Sequence, residues 1–210
     1  MYKRQQREML AKDLVENLNR NNFEAYYAED SEKAKALVLS LIPKGATIGV
    51  GGSATLNETG IMSAIQDGEY QFIDRFNPPE GTTITDALKA GLTADVFLSS
   101  TNAVTRDGQL VNVDGTGNRV GAMLYGPGKV IIVLGTNKIV DNIDDAIKRI
   151  KNIAAPINAM RLHRNTPCTK TGRCMDCSSP ERICNMTTIY SKCRNKGDAV
   201  VVVIPEELGF

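Results

Sequence analysis

No run of eighteen apolar residues occurs in the 210-residue chain, so nothing in it reads as a transmembrane helix. The opening stretch MYKRQQREMLAKD lacks the apolar core of a secretory signal, and the expectation is a cytoplasmic protein without membrane contact. A dominant charge is missing too: 25 Lys and Arg stand against 24 Asp and Glu, a formal net charge of +1. That balance gives the whole chain no electrostatic reason to bind nucleic acid. Histidine occurs once, at His163, which excludes a Cys2His2 zinc site and reads as a satisfied helix-end residue. Cysteine is absent from the first 167 residues, and all five lie between Cys168 and Cys193. Such a distribution argues against a disulfide framework and for a local metal or cluster site. Neither a Walker Gly-Lys-Ser/Thr nor a GxGxxG spacing is present, and there is no internal repeat.

What is present is helix alternating with strand from end to end. Leu10, Leu14 and Leu18 recur at i, i+4 in a helix over residues 1 to about 21. Phe23–Ala28 reads as a short strand, and Ser31 as the cap of a helix reaching Leu41. Further strands are expected at Ala46–Val50, Tyr70–Ile73, Val96–Leu98 and Ala199–Ile204. Lys129–Leu134 is a near-continuous apolar run, the pattern of a strand buried on both faces. A short helix is expected over Thr85–Leu92 and another turn of helix over Arg119–Tyr125. Asp141 reads as the cap of a long helix with Ile143, Ile147, Ile150, Ile153 or Ala154, and Ile157 on one face and Lys148, Arg149 and Lys151 on its polar face. This order predicts an α/β fold over residues 1–210, a mainly parallel open sheet with helices on both faces. Because Val200–Ile204 reads as core, the cysteine-rich segment, residues 165–195, is an insertion before the last strand.

Three expected strands end in small polar loops. The first gives Gly51-Gly52-Ser53-Ala54-Thr55-Leu56-Asn57-Glu58, the second Ser99-Ser100-Thr101-Asn102, and the third Gly135-Thr136-Asn137-Lys138. A hairpin at Arg106-Asp107-Gly108 follows the second and leads to Asp114-Gly115-Thr116-Gly117-Asn118-Arg119. Strand ends that carry glycines, hydroxyls and amides are how an open α/β sheet builds a ligand crevice. The competing reading is a set of turns that use Gly, Asp and Asn for backbone reasons. As a site, Gly51, Gly52, Ser53, Thr55 and Asn57 would bind a carboxylate or phosphate. Ser100, Thr101, Asn102, Gly115, Thr116 and Asn118 would line the crevice towards the reacting end. Arg119 would clamp an anion through two parallel hydrogen bonds, and Asp114 or Glu58 would be the general base. Lys138 either reaches the crevice or is a solvated loop lysine.

Cys168, Cys174, Cys177 and Cys184 fall within seventeen residues, with only one CxxC pair, and Cys193 stands apart as a buried thiol. Turn formers such as Thr171-Gly172 and Ser178-Ser179-Pro180 keep the segment from regular structure and let the four thiols converge. An iron–sulfur cluster of the 4Fe–4S type takes four thiolates, structural zinc takes four as well, and free or redox-active thiols are the third reading. Between Lys148 and Lys196 there are eleven Lys or Arg and two Asp or Glu, a local balance of +9 that would stabilise a thiolate-rich centre of either kind. With one aromatic there, Tyr190, stacking on RNA is poorly supported.

The stretches SSTNAVTRDGQLVNVDGTGNRV, GPGKVIIVLGTNKIV and DDAIKRIKNIAAPINAMR resemble the lactate-utilisation (LUD) domain family. PCTKTGRCMDCSSPERICN and VVVVIPEELGF resemble its branch with a C-terminal cysteine motif, and the likeness covers roughly residues 5 to 210. The resemblance implies a fold related to ribose-5-phosphate isomerase, glucosamine-6-phosphate deaminase and CoA-transferases, with Gly49–Thr55 where such proteins hold an anionic group. It also implies oxidation of lactate to pyruvate beside iron–sulfur partner subunits. Larger members append a ferredoxin-type domain with repeated cysteine motifs, which this chain lacks. Two readings follow. One is a redox-linked enzyme or oxidoreductase subunit that acts on a small hydroxy or keto acid with a cluster at Cys168, Cys174, Cys177 and Cys184. The other is a non-catalytic module that binds an anionic metabolite, stapled by zinc. Isomerase, deaminase or acyl-CoA transferase activity rests on fold analogy alone, and the sequence leaves open whether the chain forms a homo-oligomer.

Overall fold

The computed structural model describes residues 1–210. The chain begins with α1 (Tyr2–Arg20), β1 (Glu24–Tyr27), α2 (Ser31–Ser40), β2 (Thr47–Val50), α3 (Ala54–Glu58) and α4 (Ile61–Gln66). It continues through β3 (Gln71–Phe72), α5 (Ile84–Ala90), β4 (Val96–Ser99), β5 (Ala103–Thr105), β6 (Leu110–Asp114) and α6 (Asn118–Leu124). Then come β7 (Lys129–Gly135), β8 (Ile139–Val140), α7 (Ile143–Arg149), α8 (Ala155–Arg161), α9 (Pro167–Thr171), β9 (Met186–Tyr190) and β10 (Ala199–Ile204). No helix is long and apolar enough to cross a membrane.

Six strands form one sheet in the order β1-β10-β7-β4-β2-β3, every pairing parallel. Its central strands are apolar without interruption because both faces are covered. On β7, Ile131 and Val133 point into one core with Ala34, Val38, Leu56, Ile61 and Ile65. Val130, Ile132 and Leu134 alternate into the other, with Ala11, Leu14 and Leu18 of α1. Beneath α1 lies a second sheet that the sequence does not announce, β8-β5-β6-β9. Its β5–β6 hairpin turns at Gly108 with φ +86°, as the Arg106-Asp107-Gly108 signal predicts.

Four local expectations are corrected. Asp30, not Ser31, caps α2 by accepting from Lys33 N at 2.8 Å, and Asn142, not Asp141, caps α7 by accepting from Asp145 N at 2.9 Å. The cysteine segment is not wholly irregular, since it contains α9 and β9, which pairs antiparallel with β6. Between α7 and α8, Ile150–Ala154 makes a π-helical turn just ahead of Pro156. Proline has no N–H to donate and its ring crowds the preceding turn, and a widened turn relieves both problems. The wider turn rotates the faces. Ile153 and Ile157 therefore point to solvent, at 44% and 41% exposure, and Arg149 is buried instead of lying on the polar face.

Candidate anion cleft and four-thiol site

In a parallel sheet all strands deliver their carboxyl ends to the same edge, where ligands of open α/β folds bind. β4 lies between β2 and β7, so the three polar loops meet over adjacent strand ends. The Asp114–Arg119 loop arrives beside them from the second sheet. Together they border a cleft of about 200 Å³. Of the residues singled out from sequence, Gly52, Ser53, Ser100, Thr101, Asn102, Asp114, Gly115, Thr116, Asn118, Arg119 and Lys138 line it. Gly51 lies directly under Arg119, whose Cγ is 2.9 Å from where a Cβ would sit. Thr55 is buried behind the cleft and touches Lys138. Asn57 borders a neighbouring cavity instead. Glu58 is an exposed residue whose Oε2 accepts the Gly209 N–H at 2.6 Å, so it ties down the C-terminal tail outside the cleft wall.

Arg119 is more committed than its sequence context suggests. Nη1 donates to Asn112 Oδ1 at 2.7 Å and to Ser100 O at 3.2 Å, and Nη2 donates to Val113 O at 2.9 Å and Asn102 Oδ1 at 3.1 Å. Its Nε faces Asp114 Oδ2 at 3.3 Å. A guanidinium has five N–H donors, and all five are directed at the protein. A bidentate clamp on a ligand is therefore corrected to a structural hub that welds β4, β6 and α6 together. Asp114 is equally occupied: its Oδ1 accepts from Thr116 N and Gly117 N at 3.1 and 3.0 Å. It acts as a turn organiser and counter-charge rather than as a free base.

Lys138 is the group left with chemistry to do, and it is not solvated. It is 3% exposed, and Nζ donates to Ser100 Oγ at 2.9 Å and Thr55 Oγ1 at 3.0 Å, which leaves one of three N–H donors for the cleft. Burial, followed by the charges of Arg149 and Arg119, pulls its pKa down to about 7, against a smaller upward pull from Glu58. Arg149 sits nearby because its Nε and Nη1 donate to Asn137 O at 3.0 Å and Asn102 O at 2.5 Å, at the ends of two of the polar loops.

Sequence reasoning missed three further cations on the cleft wall, Arg75, Arg161 and Arg164. Arg75 follows β3 as the polar loops follow their strands, and Arg161 and Arg164 belong to the +9 stretch; those were the available signals. Burial, then the charge of Arg161, lowers the Arg75 pKa.

Cys168, Cys174, Cys177 and Cys184 converge on a second, small cavity of about 20 Å³ whose remaining wall is mainly apolar, including Ala155, Pro156, Ala159 and Met175. Arg182 binds their loop together, donating through Nε to Cys184 O at 3.0 Å and also to Cys177 O and Asp176. Asp176 N donates to Cys174 Sγ at 3.4 Å. Burial pushes the Cys184 thiol up, with the other three thiols adding to the rise and Arg182 opposing it. No three Cys, His, Asp or Glu side chains meet closely enough to hold a single metal ion. Cys193 is 4% exposed in the core near Tyr190, away from this cavity. His163 is exposed just beyond α8.

The two cavities adjoin. Ile183 walls both, and its backbone packs against Gly115. Next to it, Asn185 donates its N–H to Asp114 O at 2.9 Å and its Nδ2 to Gly115 O at 3.0 Å.

A parallel open sheet with a cationic crevice at its carboxyl edge places the molecule among the open α/β folds. The family is more specific: the chain belongs to the LUD domain family, whose model matches residues 11–204. The crystal structure of a DUF162 family protein from Deinococcus radiodurans is similar, at 13% identity over 94% of this chain and 97% of that one, with a TM-score of 0.53. At that identity the likeness shows a shared fold. No curated protein matches the sequence.

Proposed function

We propose that this LUD-domain protein is a redox-linked enzyme or subunit that binds a small hydroxy or keto acid, of the lactate class, in the cleft, and that the four thiols hold an iron–sulfur cluster beside it. The observation that carries this reading is the shared Ile183 wall, with Asn185 bonded to the Asp114–Gly115 turn. A metabolite-binding cleft alone would not call for a thiol-lined chamber one residue away.

The donor set fits such a centre. Four soft thiolate donors surround one dry chamber, and an N–H points at the Cys174 sulfur, the kind of contact that tunes cluster potentials. When bound, the cluster would supply one-electron transfer, which makes an iron–sulfur partner subunit the natural next carrier.

The chain's own residues do the acid–base work. Oxidation of a hydroxy acid to a keto acid breaks the hydroxyl O–H and the α-carbon C–H and releases two protons and two electrons. The electrons would pass singly to two equivalents of a one-electron acceptor, the partner subunit or an artificial carrier, and the α-carbon proton to water. Lys138, with a pKa of about 7, is suited to accept the hydroxyl proton in its neutral form. Thr55 and Ser100 fix the amine, and Arg119 with Asp114 holds the loops that carry those partners. Turnover should therefore rise with pH through about 7 and should be lost in Lys138→Met.

Protein purified anaerobically should contain about four iron and four sulfide per chain and should oxidise L-lactate with an artificial one-electron acceptor. One zinc per chain and no sulfide would favour the alternative, a non-catalytic anion-binding module with a metal staple.

A further inference from the structure

The cleft carries more positive charge than a monocarboxylate needs. Its wall presents Arg75, Arg119, Lys138, Arg161 and Arg164 against a single carboxylate, Asp114. Asp114 is already paired with Arg119. Lys138 remains at the inner end among hydroxyls, and the other three cations lie elsewhere on the wall.

Arg75 and Arg161 converge on one point. A Cβ built on Gly52 would lie 3.1 Å from Arg75 Nη2 and 3.4 Å from Arg161 Nη2. The two guanidiniums thus close on the bare α-carbon of the first polar loop, and both also border the neighbouring cavity. Neither makes an ion pair. Arg75 donates Nη1 to Val50 O at 3.4 Å, lies over the Phe76 ring with Cζ 4.9 Å from its centroid and feels the charges of Asp74 and Asp114 without pairing with either. Arg161 is held by Asn158 Oδ1 through Nε and Nη2. Two like charges held near one glycine repel one another unless an anion joins them. Guanidinium forks suit phosphate, which takes several parallel hydrogen bonds and two negative charges.

We propose that Arg75 and Arg161, over Gly52, form a second anion subsite, so that the ligand is a phosphorylated hydroxy or keto acid with its hydroxyl or keto oxygen at Lys138 and its phosphate at the arginine pair. The inner half of this assignment rests on the hydroxy-acid reading above; the outer half does not. It changes the substrate class: lactate would fill one end of the cleft and leave the arginine pair unanswered.

Calorimetric titrations with L-lactate, inorganic phosphate and 3-phosphoglycerate test it. In the wild type, 3-phosphoglycerate should bind at least about tenfold more tightly than L-lactate, as one added charge-assisted contact set implies, and inorganic phosphate should compete with it. Arg75→Gln and Arg161→Gln should each lower the ratio of the two affinities by about tenfold. Gly52→Ala keeps both charges and should lower the same ratio by placing a methyl group between them. A ratio near one in the wild type, or one that no variant changes, overturns the subsite. Bound L-lactate with an unchanged ratio would refute the subsite alone. Phosphate bound through the arginines without any L-lactate binding would support the subsite and refute the hydroxy-acid reading.

Discussion

Lys138 is unfavourable to folding while it is charged. Its pKa falls from 10.5 to about 7 on folding, so between those values the unfolded chain binds more protons and stability rises with pH. Below about pH 7 the penalty is complete, corresponding to about 5 kcal/mol from the size of that fall. Lost hydrogen bonds to Thr55 and Ser100 offset part of it. Lys138→Met should therefore stabilise the protein by roughly 1–3 kcal/mol at pH 6, and the gain should shrink towards pH 10, measured by chemical denaturation at each pH. Loss of stability at pH 6 would mean that the lysine is there for packing. Arg119 behaves in the opposite way. Arg119→Ala strands Asp114, Asn102 and Asn112 and should lose about 3–5 kcal/mol, the range for breaking a buried pair, as read from the same denaturation curves. The residue types of the site were legible in the sequence, but their commitments were not. Whether an arginine in a glycine-rich loop faces a ligand or its own backbone depends on which carbonyls the fold brings to it, and those come from residues 100–113.

At the scale of elements, the strands of the main sheet were legible because burial on both faces leaves only apolar residues. Of the second sheet only the β5–β6 hairpin was legible, at Arg106-Asp107-Gly108; β8 is two residues long, and β9 is largely exposed and follows the cysteines, where turn residues dominate. The π turn was hidden as well: isoleucines at helical spacing look alike whether or not a widened turn rotates them. β9 pairs only with β6, and its segment is pinned at Asn185 and by the loop that carries the four thiols. Cys184→Ser, or chelation that strips the proposed cluster, should accelerate amide exchange in residues 186–190 by about tenfold or more while β7 and β10 keep their protection. Unchanged exchange in β9 would show that the thiol site does not support the sheet.

For the molecule as a whole, a net charge near zero conceals a strong asymmetry. Basic residues outnumber acidic ones over the cleft and the thiol loop, where Asp114, Asp176 and Glu181 are the carboxylates. Sequence counting found the excess in residues 148–196 but could not assign Arg161 to the cleft and Arg182 to the thiols, since the two sites share one stretch of chain. Their joining through Ile183 is the junction on which the proposed redox function rests. The electron paramagnetic resonance spectrum of the reduced, anaerobically purified protein tests that junction directly. Saturating L-lactate should shift the cluster signal in the wild type and leave it unmoved in Lys138→Met. A cluster spectrum that ignores L-lactate already seen to bind by calorimetry, or protein with no cluster signal at all, would contradict the account.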